Sequence, residues 1–181
     1  KLNNLQSGMI ETEEPCLVKA GQGFSVLYKN RFLYSKYSPQ KAIEQTIANL
    51  DILPQTLILC FSPCLWYGLK ELLAKLPENS LILGIEADKK LFELAEKNLK
   101  EIKKSCPQDS KKILLTSPSK IEELIKTLPH FRRTLSIEMS GGTFFYKTLY
   151  SQTALFSQNF IASFWKNRIT LVKMGRLFCK N

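Results

Sequence analysis

An α/β fold built on a parallel sheet is the architecture this sequence predicts. Three observations predict it. Short, continuous apolar runs alternate with stretches whose apolar residues recur at helical spacing. The runs are apolar throughout, as expected of strands buried on both faces. The segment before them is instead broken by glycine and asparagine into short β-prone pieces.

The bulk numbers narrow the class further. A chain of 181 residues is of single-domain size. With 44% hydrophobic and 23% charged residues it has an ordinary globular composition, which argues against long disorder. No run approaches the roughly 18 apolar residues that a membrane span needs. No secretory signal opens the chain, and it begins without methionine, so a piece of a longer polypeptide is expected. The cysteines (Cys16, Cys60, Cys64, Cys106 and Cys179) are odd in number and irregular in spacing. They read as reduced thiols of a cytoplasmic protein. With His130 as the sole histidine, no metal site is expected.

The elements follow in order. The polar first fourteen residues are a lead-in. Cys16 to Ala20, Phe24 to Tyr28 and Arg31 to Tyr34 are separated by Gly21-Gln22-Gly23 and Lys29-Asn30, which predicts a β-meander. This is an N-terminal subdomain over residues 1–37. Ser38-Pro39 predicts a helix start, the serine capping free amides. Ala42, Ile43, Thr46, Ile47 and Leu50 continue that helix. Strands are predicted at Thr56 to Phe61, Leu81 to Glu86, Ile113 to Leu115 and Thr134 to Glu138. Helices lie between them at Leu69 to Leu76, Leu91 to Ile102 and Ile121 to Leu128. Such βαβ units with right-handed crossovers make a Rossmann-like parallel sheet flanked by helices over residues 38–143. Over 144–181 a helical segment is predicted, one or two long C-terminal helices that lead to a further domain downstream. Its stripe of Phe145, Leu149, Phe156, Phe160 and Phe164, followed by Trp165, Ile169, Leu171 and Val172, is expected to be core.

Ligands on such sheets sit beyond the carboxyl ends of the strands, so loops 62–68, 86–89, 115–118 and 138–143 matter most. A strand, a loop, a helix, a second strand and then an acid is the order of a cofactor-binding half. Glu86 stands where an acid accepts hydrogen bonds from ribose hydroxyls. It is equally placed as a solvent-facing acid or as a cap for the helix starting near Asp88. The loop reads Ser62-Pro63-Cys64-Leu65-Trp66-Tyr67-Gly68, with a single late glycine. Glycines would let backbone amides meet a cofactor, and side chains obstruct that. Pro63 also removes a donor. The expectation is a crevice filled by Trp66. If a cofactor binds after all, Ser62, Cys64, Trp66, Glu86, Ser140 and Gly141 are the residues to hold it. Ser140-Gly141-Gly142 is either a tight turn or an opening for a phosphate. Glu138 and His130 have no identified partner for acid–base work, so no catalytic residue is assigned. Phe131-Arg132-Arg133 reads as surface.

Three stretches carry a family resemblance: Leu33-Tyr34-Ser35-Lys36-Tyr37-Ser38-Pro39; Gly84-Ile85-Glu86-Ala87-Asp88; and Asn167-Arg168-Ile169-Thr170, continuing to Gly175-Arg176-Leu177-Phe178 and Asn181. From about residue 16 to the end, the chain resembles the N-terminal region of the motility accessory factor family, also described as 6-hydroxymethylpterin pyrophosphokinase MptE-like. The resemblance implies a larger protein in which a Rossmann-like domain precedes a central domain with a glycosyltransferase-like fold. It also implies a link to flagellin decoration with nonulosonic sugars. The family's loop glycines fall here at Ser62, Cys64 and Trp66, a departure from its pattern.

Function is therefore expected to be accessory. The domain supports a transferase-like neighbour in the same polypeptide, or helps recognise flagellin or another protein, without a cofactor of its own. The alternative is a divergent methyltransferase-like domain binding S-adenosylmethionine or a nucleotide near Glu86. A net charge of +10 raises nucleic acid as a partner, but no reader motif accompanies it, and nucleic acid is not expected.

Overall fold

The computed structural model describes residues 14–128 and 131–178, with 170–178 as helical backbone alone. His130, Cys179 and Asn181 lie outside the described residues, as do the side chains of Leu171, Val172 and the Gly175-Arg176-Leu177-Phe178 motif.

The N-terminal meander forms as predicted. β1 (Cys16–Ala20), β2 (Gly23–Tyr28) and β3 (Arg31–Phe32) make an antiparallel sheet in that order. Its second turn places Lys29 and Asn30 at φ 46 and 59, the left-handed pair that matches the twist of a tight hairpin.

The helix that follows, α1 (Lys41–Ala48), starts later than the sequence suggests, and no side chain caps it. The hydroxyl that organises this stretch is Ser35, which accepts from the amides of Tyr37 and Ser38. With the chain from 35 to 38 held as a turn, Ser38 does not act as a cap.

Beyond it, β4 (Thr56–Phe61), α2 (Leu69–Ala74), β5 (Leu81–Ile85), α3 (Lys89–Ser105), β6 (Ile113–Thr116), α4 (Ile121–Thr127) and β7 (Arg133–Glu138) alternate in the predicted order. The strands pair in parallel as β6-β5-β4-β7. Cys60 at the centre sits opposite both Gly84 and Ile137. After β7 a turn of 3-10 helix, Gly141–Tyr146, leads into one continuous helix, α5 (Lys147–Phe178). Its 32 residues span about 48 Å at 1.5 Å per residue.

Every residue of β4 and β5 is buried because helices cover both sheet faces. On one face Ile58, Cys60 and Ile82 meet Ile47 of α1, Leu72 of α2 and Leu99 of α3. On the other, Leu57, Leu59, Leu83 and Ile85 meet Ile125 of α4 and Ile161 of α5. Burying each such side chain is worth about 1.5–3 kcal/mol. These two layers are what hold the strand ends in place.

Two expectations need correction. Phe131 is not surface: it is buried in the second layer, and its carbonyl accepts from Trp165 Nε1 at 2.6 Å. Only Arg132 and Arg133 of that triplet are exposed, Arg132 lying over the Trp165 ring. The aromatic stripe of α5 is core only in part: Phe156, Phe160 and Trp165 pack half-buried against the second layer, beside a deeper face. Its deepest positions are Tyr150, Thr153, Ser157 and Ile161, while Leu149 and Ile169 are exposed. Thr153 and Ser157 can be buried because each hydroxyl donates to a carbonyl four residues earlier in the helix.

The Trp66 ring lies against Gly84 in the middle of β5. A Cβ at Gly84 would come within 2.4 Å of that ring. Gly84→Ala should therefore destabilise the fold by about 1–3 kcal/mol through overpacking. A lowered urea midpoint at unchanged slope is the expected readout.

Candidate functional site

The strand order reverses between β4 and β7. In a doubly wound sheet that reversal opens a crevice at the carboxyl ends, where ligands bind. Here the crevice floor is the loop after β4, with the acid after β5 on one side and the turn after β7 on the other. The strand pairing runs on into these loops. Ser62 N donates to Ile85 O, Glu86 N to Thr116 O and Met139 N to Phe61 O.

The loop keeps a backbone that glycine would favour. Ser62 and Trp66 sit at φ 50 and 54, in the left-handed region. Each non-glycine residue there costs about 1–2 kcal/mol. The side chains at these two positions are buried and used. The Trp66 indole is only 2% exposed, lies in the core and donates from Nε1 to Ala95 O at 2.9 Å. The indole packs under β5 rather than standing open to a ligand. Ser62 Oγ donates to Glu86 Oε2 at 2.8 Å and accepts from Ser140 Oγ at 3.1 Å.

Glu86 is 1% exposed, so it is neither a solvent-facing acid nor a helix cap. Asp88 caps α3 instead, accepting from Lys90 N and Leu91 N. Glu86 Oε1 accepts from Tyr150 OH at 2.8 Å, from Ala87 N at 2.9 Å and from Asp88 N at 3.1 Å. Its other oxygen takes the Ser62 hydroxyl, with the Cys64 thiol 3.9 Å away. Ribose hydroxyls would have to displace these donors. Burial pushes the Glu86 carboxyl above the ordinary glutamate range, against the hydrogen bonds that favour its charge. The same desolvation, with Glu86 nearby, pushes the Cys64 thiol up to about 12, so Cys64 is not a poised nucleophile. Tyr150 is raised by burial and by the same carboxylate.

The N-terminal sheet closes the crevice from above. Val26, Tyr28, Leu33 and Tyr34 pack on Cys64, Leu91 and Phe145. Tyr34 OH accepts from Leu65 N at 3.1 Å, and Leu33 O accepts from Gly141 N at 2.7 Å. The meander is tied to α3 by Asp88, which takes Lys29 Nζ at 2.9 Å and Tyr28 OH at 3.0 Å. Burial alone would raise the Asp88 carboxyl; the Lys29 ammonium, the helix amides and Tyr28 outweigh it and hold it low. Beneath, Gly142 is pressed on Ser62, where a Cβ would lie 2.2 Å from Oγ.

Thus Ser62, Cys64, Glu86 and Ser140 converge in one buried polar cluster, and Trp66 turns away into the core. Ser140 and Gly141 form the wall between this cluster and an outer groove of about 640 Å³ that Glu138 also lines. The Ser140 hydroxyl accepts from Gly142 N, so the paired glycines make a turn into the 3-10 helix. Tyr34 and Tyr150 completed the cluster unforeseen. Tyr34 stood within the stretch that carries the resemblance. Tyr150 was marked by Thr153, Ser157 and Ile161 on the same helical face. Among the described residues no group of histidine, cysteine and acidic side chains could hold a metal ion, and no helix is long and apolar enough to cross a membrane.

A doubly wound, Rossmann-like α/β domain whose ligand crevice is closed by its own chain is the class that fold and site define. No protein-family model matches the chain. It is similar to an uncharacterized protein of Treponema pallidum (strain Nichols), with 33% identity over 176 residues. The match takes in 96% of this chain but only 30% of the length of the Treponema protein.

Two consequences are measurable. Tyr150→Phe removes a buried donor to Glu86 and should lower stability by about 1–3 kcal/mol in urea unfolding. Because the native pKa of Glu86 is raised, the folded state holds that proton more tightly than the unfolded chain. The resulting stability is full below the ordinary glutamate range and is lost as pH rises through the raised value. Glu86→Gln cannot ionise, so the stability of the natural chain minus that of the variant should fall as pH rises above the ordinary glutamate range. A difference that stays flat over that rise would contradict the assignment.

Proposed function

We propose that this domain is an accessory, non-catalytic module of a larger protein of the motility accessory factor or MptE-like kind. It supports a glycosyltransferase-like neighbour in the same polypeptide, or helps that neighbour recognise flagellin or another protein partner. It works in the cytoplasm, where free thiols such as the buried Cys60 and Cys64 stay reduced. The observation that carries this reading is the closed crevice: the acceptor oxygens of Glu86 are engaged by the protein's own donors, beneath a docked meander. A module role is further supported by the Treponema relative, more than two thirds of which lies outside the match.

A second reading, a divergent S-adenosylmethionine-binding domain, is favoured by one observation. Ser62 and Trp66 hold the torsions of a glycine loop, and an acid follows β5. It requires Glu86 to exchange four protein donors for two ribose hydroxyls, and the meander to lift.

Thermal unfolding with S-adenosylmethionine and with nicotinamide dinucleotides separates the two. Ligand at 100 times its Kd would add about 2.7 kcal/mol, a melting shift of roughly 5–11 °C at about 2–4 °C per kcal/mol for a chain of 181 residues. The accessory reading expects no shift that depends on Glu86. A shift with either ligand that Glu86→Gln abolishes would overturn it.

A further inference from the structure

The outer groove has a character of its own. It lies at the carboxyl end of β7, outside the closed cluster, between the end of the meander, the start of α1 and the 3-10 turn before α5. Its volume of about 640 Å³ is within the range of small-molecule sites, roughly 300–1,000 Å³. Arg31 and Lys147 line it. Among the described residues neither has a carboxylate partner. The single acid in the lining, Glu138, accepts from the Thr143 hydroxyl through Oε2. The groove therefore carries more positive charge than its own side chains neutralise.

Its walls are also aromatic. Phe144 is 61% exposed, an unusual position for a phenyl ring, and the Arg31 guanidinium lies 3.9 Å from its centroid. Phe32 contributes a second, half-buried ring, covered by Lys36 Nζ at 4.2 Å from its centroid. A guanidinium stacked on a ring keeps its edge free to fork onto an anion, while exposed rings offer a flat surface to another ring. Uncompensated cations beside exposed rings select a ligand that has both an anionic group and a planar body.

We propose that the groove formed by Arg31, Phe32, Glu138, Phe144 and Lys147 binds a small phosphomonoester of mononucleotide size. The phosphate is held by Arg31 and Lys147, and the ring rests on the exposed Phe144. Glu138 is the acceptor for a hydroxyl or ring N–H. Glu86 has no part in it, so this site is independent of the closed crevice and of the accessory role.

Calorimetric titration of the 181-residue chain with AMP, adenosine and inorganic phosphate at low salt tests it. AMP should bind, with adenosine and inorganic phosphate each weaker by about tenfold or more. Arg31→Ala and Lys147→Ala should each weaken AMP by about tenfold, while Lys97→Ala on α3 and Glu86→Gln leave it unchanged. Both lining cations are exposed, so unchanged melting temperatures for the apo variants will separate lost binding from lost fold. Failure of AMP to bind would overturn the proposal. So would undiminished affinity in both lining variants, or inorganic phosphate binding as tightly as AMP. A ligand-induced melting shift lost in Arg31→Ala but kept in Glu86→Gln reports on this groove. The opposite pattern reports on the crevice.

Discussion

A buried carboxylate organises this domain. Glu86 stands at the end of a strand whose residues are all buried, and it gathers donors from the loop after β4, from its own loop and from α5. Removing such a charge from water is costly unless hydrogen bonds replace the lost solvation. That requirement fixes where Ser62 and Tyr150 must be, and hence how closely α5 lies against the sheet. Once Ser62 is committed downward to Glu86, Ser140 can reach it from β7, and Gly142 must stay without a side chain. One desolvated group thus couples three strand ends that a ligand would otherwise hold.

The loop beneath fills the crevice while following a path of glycine-like torsions. Torsions at Ser62 and Trp66 are those glycine adopts freely. Keeping them with larger residues costs backbone energy, and the gain comes from what those side chains touch: an indole packed on Gly84 with its N–H satisfied, and a hydroxyl in the carboxylate's shell. The ground where phosphate or ribose would lie is occupied by protein atoms that satisfy one another.

Local patterns made the sheet and its helices legible in the sequence, because burial on both faces leaves an unbroken apolar run and burial on one leaves a helical stripe. The scarcity of glycine in the loop after β4 was legible too, but not the place of Trp66, which was expected in the crevice and packs instead against Gly84 in the core. What the sequence did not disclose depends on distant partners. Glu86 meets Tyr150 across 64 positions, and Tyr28 meets Asp88 across 60. Nothing local to Glu86 distinguishes an acid facing solvent from one roofed by another sheet. The aromatic stripe on α5 told part of the story, since Phe156, Phe160 and Trp165 do pack against the second layer. Size and hydrophobicity suggest the inward face, yet small hydroxyl residues let the helix approach the sheet closely, and the rings flank that contact. Phe131 was obscured by the two arginines beside it, whose charge marks only their own side chains as exposed.

The docked meander bears on how the chain comes to be assembled. Its inward residues, Val26, Tyr28, Leu33 and Tyr34, complete their cluster with apolar partners at positions 64, 91 and 145. During synthesis these residues emerge before their partners at 64, 91 and 145 exist. A nascent hairpin of this kind has no core of its own and is only marginally stable. It must wait on the ribosome's progress past residue 145, and its seating is the late, long-range step that distant contacts make slow. The strands made before the sheet are thereby seated after it.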